Sequence, residues 1–125
     1  MQAFTLLGRE GYAALDSATN TPHQTVGGKA AYPTILAKAA VLWCGIIKNH
    51  PFLDGNKRVG TTALLTFLLI NGYAPLITPE ELVEKALEIA NTHGLPWRDA
   101  DLWLKPHCLP LYANPATQRR MLRKN

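Results

Sequence analysis

Long apolar runs are missing from this sequence. The most apolar stretch, ALLTFLLI, begins at Ala63 and is much shorter than the roughly 20 residues that a helix needs to cross a bilayer. The N-terminal stretch MQAFTLLGREGY has no basic region followed by a long apolar one, so it does not look like a signal peptide. We therefore expect a cytoplasmic protein that has no membrane partner.

Cysteine is scarce, and acidic residues are fewer than basic ones. The two cysteines, Cys44 and Cys108, have no spacing that suggests zinc or a disulfide framework. Lysine and arginine total 13 against 9 acidic residues, but much of this excess lies in the terminal stretch RRMLRKN. A short basic terminus is more often a solvated tail than a nucleic-acid arm. We expect residues 113–125 to form such a tail, and no DNA binding.

The remaining composition is that of one globular domain. Apolar residues make up 47% of the 125 residues, which is enough to bury a single core. Apolar positions recur at steps of three and four residues, whereas the two-residue alternation of strands is almost absent. The sequence predicts an all-α fold, a small helical bundle in one domain over residues 1–125. TVGGKAAY alone suggests a short hairpin, or else a loop.

Four segments carry the main helical predictions. A helix over residues 6–17 would point Tyr12 and Leu15 inward. A second would open at Pro33 and leave Lys48 in water. A third, from about Gly55 to NG at residues 71–72, is apolar on nearly every face and should be buried all round. The fourth starts with a capping box at Thr78, with an inner face of Val83, Leu87 and Ala90, and a short helix follows in WRDADLWLK.

The stretch HPFLDGNKRVG, which begins at His50, contains the candidate chemistry. The start of a helix attracts anions, because its first N–H groups have no acceptor within the helix and the dipole is positive there. Gly55 would let a phosphate approach the backbone closely, and Asn56 could donate from its side chain. Lys57 and Arg58 oppose the dipole, an arrangement that suits a bound polyphosphate.

The two residues before this helix have different candidate roles. Asp54 would repel phosphates unless a divalent cation lay between them, and Mg²⁺ is commonly held by carboxylates together with phosphate oxygens. His50 could accept a proton from an incoming hydroxyl near neutral pH. Ordinary alternatives exist for each residue alone, since Asp-Gly-Asn is a common turn and Lys-Arg a common solvated pair. Their joint occurrence at the start of an apolar helix favours a site.

HPFLDGNKR closely resembles the signature of the Fic/Doc family, His-x-Phe-x-Asp/Glu-Gly-Asn-Gly/Lys-Arg, and is most similar to its death-on-curing (Doc) branch. The similarity extends over about residues 8–105. It implies that His50 is the catalytic base and that Asp54 holds Mg²⁺. It also implies that Gly55 and Asn56 form an anion hole and that Lys57 and Arg58 contact the phosphates of ATP.

The resemblance also implies the reaction. Fic members transfer AMP from ATP to a protein hydroxyl, whereas Doc toxins transfer the γ-phosphate to elongation factor Tu and block translation. Lys57 is typical of the Doc branch, and Thr61 stands where AMP-transferring members often have a second arginine. Gly55, where Doc has alanine, is typical of the Fic branch. We expect a Doc-like kinase, with AMP transfer or an inactive anion-binding module as alternatives.

The same resemblance also predicts which partners this protein binds. We find no inhibitory helix motif of the Fic type, so restraint would come from a separate antitoxin. Doc-like chains usually begin with one more helix than Met1 allows here, which would leave an apolar face for a partner or for a second copy. NTPHQTVGGKAAY occupies the position of the family's substrate-docking flap, although a plain surface connection is an equal alternative.

Overall fold

The chain forms a small helical bundle in a computed structural model that describes residues 8–49 and 55–111. The described residues contain five helices, α1 (Gly8–Asn20), α2 (Ile35–Asn49), α3 (Asn56–Ile70), α4 (Pro79–Asn91) and α5 (Trp97–Leu104). Two antiparallel pairs of short strands complete these elements. The predicted all-α fold is confirmed. The expected tail at residues 113–125 lies outside the described residues.

Helix α2 is the centre of the bundle. It packs against α1, α3, α4 and α5, and every residue from Ala39 to Ile47 is buried. The helix begins two residues after the predicted Pro33, because the hydroxyl of Thr34 accepts from the backbone N–H of Ala37 at 3.0 Å and caps the first turn. A helix buried all round is typical of a core, and here that description fits α2.

The predicted hairpin is present between α1 and α2. Strands β1 (Thr25–Val26) and β2 (Lys29–Ala30) pair antiparallel. Gly27 and Gly28 make the turn with φ values of 58° and 78°, and positive φ at both central residues is what a tight type I′ turn requires. The local sequence VGGK is therefore enough to specify this turn.

A second strand pair was not predicted. Strand β3 (Tyr73–Pro75) pairs antiparallel with β4 (Cys108–Pro110), and the backbone N–H of Leu111 donates to the carbonyl of Gly72 at 2.6 Å. These strands are too short to show alternation, and α4 and α5 lie between them in the sequence. The pair fixes the end of α5 beside the end of α3.

The predicted capping box of α4 is confirmed, but two of the three residues predicted for its inner face are wrong, and only Ala90 packs against the core. Thr78 accepts from the N–H of Glu81 at 3.1 Å, and Glu81 accepts from the N–H of Thr78 at 3.0 Å. Val83 and Leu87, which were predicted to face the core, are 60% and 45% exposed. The buried residues of α4 are Leu82, Lys85, Ala86 and Ile89.

Two further predictions about burial are wrong. Tyr12 of α1 is 66% exposed rather than inward, whereas Leu15 packs beside the cluster of Ala18, Leu42 and Ile46. Helix α3 is not buried all round, since Ile70 is 76% exposed, and only Gly60, Leu64 and Leu68 of this helix are buried. Within residues 8–49 and 55–111, no helix has both the length and the apolar composition to span a membrane.

Candidate active site

The candidate site lies at the start of α3, where Gly55 is the N-cap. Its φ of 82° and ψ of 16° are left-handed, a conformation that glycine adopts at little cost and other residues rarely adopt. Glycine also has no side chain that could cover the first turn of the helix. The backbone at this end thus leaves room for the close approach of an anion, and anion binding here stays a prediction.

The first turn of α3 is cationic. It contains no acidic residue, and Lys57 and Arg58 are both exposed, whereas Gly55 and Asn56 are half-buried. The structure therefore brings four of the predicted site residues together in one turn. His50 and Asp54, the predicted base and metal ligand, lie outside the described residues. So does Phe52 of the same motif.

A groove opens beside the two cations, between α3 and α4. Its volume is about 640 Å³, within the usual range for small-molecule sites. One wall carries Val83 and Leu87 of α4, which were predicted to be buried but are exposed. The lining residues are Lys57, Arg58, Thr61, Thr62, Leu82, Val83, Ala86 and Leu87. The site thus has a polar, cationic end and an apolar flank.

Comparison with known proteins gives this arrangement a family. The model of the Fic/DOC family matches residues 3–68, which include the whole HPFLDGNKR motif. A protein named Toxin Doc, from Mycolicibacterium smegmatis, is 40% identical over 91 residues, which are 73% of this chain and 67% of that toxin. The chain belongs to the Fic/Doc family. No solved structure matches it.

Fic/Doc members are transferases that modify proteins, and the motif of this Fic/Doc protein spans the junction of two helices. Helix α2 ends at Asn49, and α3 starts at Asn56, so His50 to Asp54 connect the two. The ends of these two helices therefore flank the part of the motif that contains the candidate base.

Lys48 fixes one of these ends, which sequence reasoning missed. It was expected in water, but it is half-buried, and its ammonium group donates to the carbonyls of Ala90, at 3.3 Å, and Thr92. A cation at carbonyls that close a helix also complements the helix dipole. The last turn of α2 is thereby attached to the end of α4. No local signal reveals this contact, because its partners lie more than 40 residues away.

Both cysteines lie within the described residues, Cys44 buried and Cys108 half-buried. Burial raises the pKa of Cys44 to about 12 and that of Cys108 to about 11, so neither thiol is a ready nucleophile at neutral pH. Within residues 8–49 and 55–111, no group of three or more His, Cys, Asp or Glu side chains could hold a metal ion. The predicted ligand Asp54 is not among these residues.

Proposed function

We propose that this protein is a Doc-type toxin that transfers the γ-phosphate of ATP to a hydroxyl group of a target protein. Elongation factor Tu is the target expected from the resemblance, and blocked translation is the expected result. The observation that carries the proposal is the motif HPFLDGNKR, of which GNKR forms the glycine N-cap and cationic first turn of α3. The similarity to a protein named Toxin Doc supports the same branch.

Each motif residue has a role in this proposal. His50 accepts the proton of the target hydroxyl, whose oxygen forms a bond to the γ-phosphorus while the bond from that phosphorus to the bridging oxygen breaks. The electron pair of the broken bond stays on that oxygen, which leaves as part of ADP. Gly55 and Asn56 bind phosphate oxygens through N–H groups, and Lys57 and Arg58 stabilise the negative charge.

Asp54 is the residue proposed to hold Mg²⁺. A carboxylate directly before the anion-binding turn suits this ion, which combines one or two carboxylates with phosphate oxygens. When bound, Mg²⁺ would supply neutralisation of the charge on the phosphates. The chain's own contribution is the Asp54 carboxylate, which comes directly before Gly55 in the sequence.

The direction of transfer is tested with ATP labelled at the α or the γ position. Purified protein is incubated with elongation factor Tu and, separately, with cell lysate. Lys57 fills the room that glycine leaves in AMP-transferring members, and Thr61 replaces an arginine, so we expect γ-label on the target and ADP as product. AMP transfer is the second candidate, because Gly55 is the glycine typical of that branch. α-Label on the target, with release of pyrophosphate, would establish it.

Variants of the motif test the proposed roles. We expect His50→Ala to lower turnover by about 10² or more while ATP binding persists, because the imidazole acts on the acceptor hydroxyl. His93→Ala is the matched control, since His93 is an exposed histidine just beyond the end of α4. Asp54→Asn should lose both activity and the response to Mg²⁺. Turnover of His50→Ala above about a tenth of wild type would contradict the base assignment.

The toxin proposal has its own test in living cells. We propose that a separate antitoxin restrains the enzyme in the cytoplasm, so expression of the chain alone should arrest growth. Expression of His50→Ala at the same level should not. Normal growth with soluble, folded wild-type protein would contradict the toxin assignment, whereas arrest by both versions would point to an effect other than catalysis.

A further inference from the structure

The indole of Trp43 makes a buried polar contact between α2 and α3. Trp43 has no exposed surface, and its indole N–H donates to the hydroxyl of Thr61 at 3.1 Å. An indole nitrogen can only donate, and a buried donor without an acceptor is costly. Thr61 therefore satisfies a group that α2 cannot satisfy with its own backbone.

Thr61 lies close to the cationic first turn of α3, so a small rotation of α3 about its axis would move Lys57 and Arg58. It is one helical turn after Lys57, about 6 Å along the axis. The neighbouring Gly60 faces α2 so closely that an added Cβ would lie 3.1 Å from Cγ1 of Ile47 and 3.4 Å from the carbonyl of Trp43. Close packing at Gly60 sets the distance between the helices, and the directional hydrogen bond at Thr61 sets how α3 is turned about its own axis.

We propose that Thr61 is a positioning residue for the transfer reaction. By accepting from the indole of Trp43, it fixes the rotation of the first two turns of α3 and hence where Lys57 and Arg58 present their charges. The inference rests on the proposed function and extends it. In the family comparison, Thr61 matters only because it replaces an arginine. The hydrogen bond gives the threonine itself a structural role, since its hydroxyl accepts from Trp43.

The test compares three variants of the full chain with wild type. Thr61→Val removes the acceptor but keeps the shape, and Thr61→Ser keeps the hydroxyl. Thr66→Val makes the same change at an exposed position of α3. The rate constant kcat and the KM for ATP are measured with γ-labelled ATP, at a temperature where all variants are folded. Trp indole N–H signals in NMR spectra report whether the contact persists.

We expect Thr61→Val to lower kcat/KM by roughly tenfold to a hundredfold, since misplacement by about 1 Å can cost about 10². Part of the loss should be an increase in the KM for ATP, because the displaced cations bind its phosphates. Thr61→Ser and Thr66→Val should stay within about threefold of wild type, a change of less than about 0.7 kcal/mol. The Trp43 indole signal should shift in Thr61→Val alone.

A double variant separates positioning from stability. Trp43→Phe with Thr61→Val removes both polar partners and so leaves no buried donor without an acceptor. The smaller ring costs packing in the core, so the rate is measured at a temperature where this variant is folded. We expect it to remain impaired in kcat/KM because the hydrogen bond is still absent. Wild-type kcat/KM in the double variant, or in a folded Thr61→Val, would overturn the role of Thr61 alone. Inactive wild-type protein would instead reject the proposed function, and this role with it.

Discussion

At the scale of single residues, Lys85 is the main departure from simple expectation. It is only 5% exposed, although it is a lysine, and its ammonium group lies 2.5 Å from Asp99 and 3.2 Å from Glu88. Burial lowers the pKa of Lys85, but the hydrogen bonds with Asp99 and Glu88 outweigh burial and raise it. The charge therefore persists at neutral pH while the long stem packs in the core.

We expect the stem of Lys85 to matter more for stability than its charge. Both acidic partners are more than half exposed, so they regain water when the lysine is removed. Lys85→Met, which keeps the stem, should change the free energy of unfolding by less than about 1 kcal/mol. Lys85→Ala should lower it by about 2–3 kcal/mol through the cavity. Urea unfolding measures both, and a larger loss in Lys85→Met would show that the ion pair dominates.

At the scale of elements, the N-terminus of α4 depends on a carboxylate. The hydrogen bonds from the backbone and side chain of Thr78, followed by that from His107, lower the pKa of Glu81 below its usual 4.5. The imidazole Nε2 of His107 lies 3.0 Å from Oε2 of Glu81, so the same carboxylate joins the cap of α4 to the segment after α5. Protonation of Glu81 would weaken both contacts.

The stability of the protein should therefore fall in acid through Glu81. A carboxylate whose pKa is lowered on folding contributes stability that is complete above the unfolded pKa. That contribution is lost as the pH falls through the folded pKa, so the relevant window lies below 4.5. Glu81→Gln keeps an acceptor for the capping box but does not titrate.

Urea unfolding from about pH 6 down to about pH 3 checks this dependence. The difference in unfolding free energy between wild type and Glu81→Gln should shrink as the pH falls. Glu84→Gln, at a nearby exposed position of α4, is the control for a general change of charge. A difference that does not vary with pH would show that the Glu81 carboxylate contributes nothing to stability through its charge.

Helix α4 also shows what could be read from the sequence and what could not. Its start was predictable, because Thr78, Pro79 and Glu81 make a local signal within four residues. Its buried face was not, because that face includes Lys85, and lysine is rarely buried unless it is paired. The neutralising carboxylate of Asp99 comes from α5, and only tertiary structure brings it near.

The candidate site shows the same contrast between features set by local sequence and features set by long-range contacts. The glycine turn at Gly55, which is proposed to bind an anion, and the cations after it follow from local chemistry, so the sequence predicts them. The contact between Trp43 and Thr61 spans 18 residues and that between Lys48 and Thr92 spans 44. No periodicity or motif encodes such pairs. The groups proposed to react could thus be named from the sequence, whereas the groups that hold the helix ends required the structure.

At the scale of the whole molecule, residues 8–49 and 55–111 leave apolar surface exposed on the side of α3 away from the core. A groove of about 750 Å³ runs between α1 and α3, next to the cluster of Ala18, Leu42 and Ile46. Its walls include Leu15, Val59, Phe67 and Ile70. The family resemblance predicts an apolar face for a partner or for a second copy, and this stays a prediction. The apolar walls of the groove are compatible with it.

The packing of the bundle depends on two glycines at helix contacts on α2. An added Cβ at Gly45 would lie 3.3 Å from Cβ of Ala18 on α1, and one at Gly60 would lie 3.1 Å from Cγ1 of Ile47. Overpacking costs about 1–3 kcal/mol, whereas alanine gains about 1 kcal/mol over glycine within a helix. Because Ala18 and Ile47 are fully buried, the neighbours have little freedom to move, and the cost should exceed the gain.

We therefore expect Gly45→Ala and Gly60→Ala to lower the free energy of unfolding by similar amounts, about 1 kcal/mol each. Their effects on transfer should differ. Gly60 is two residues after Arg58, so pushing α3 away from α2 displaces the cations from the groups at the end of α2. Gly45 affects only the contact with α1.

Urea unfolding and the initial rate of γ-label transfer, both measured well below the melting temperature, compare the two variants. A loss of rate in Gly60→Ala alone would show that the spacing of α2 and α3 is a requirement of catalysis. Equal losses would mean that activity follows overall stability.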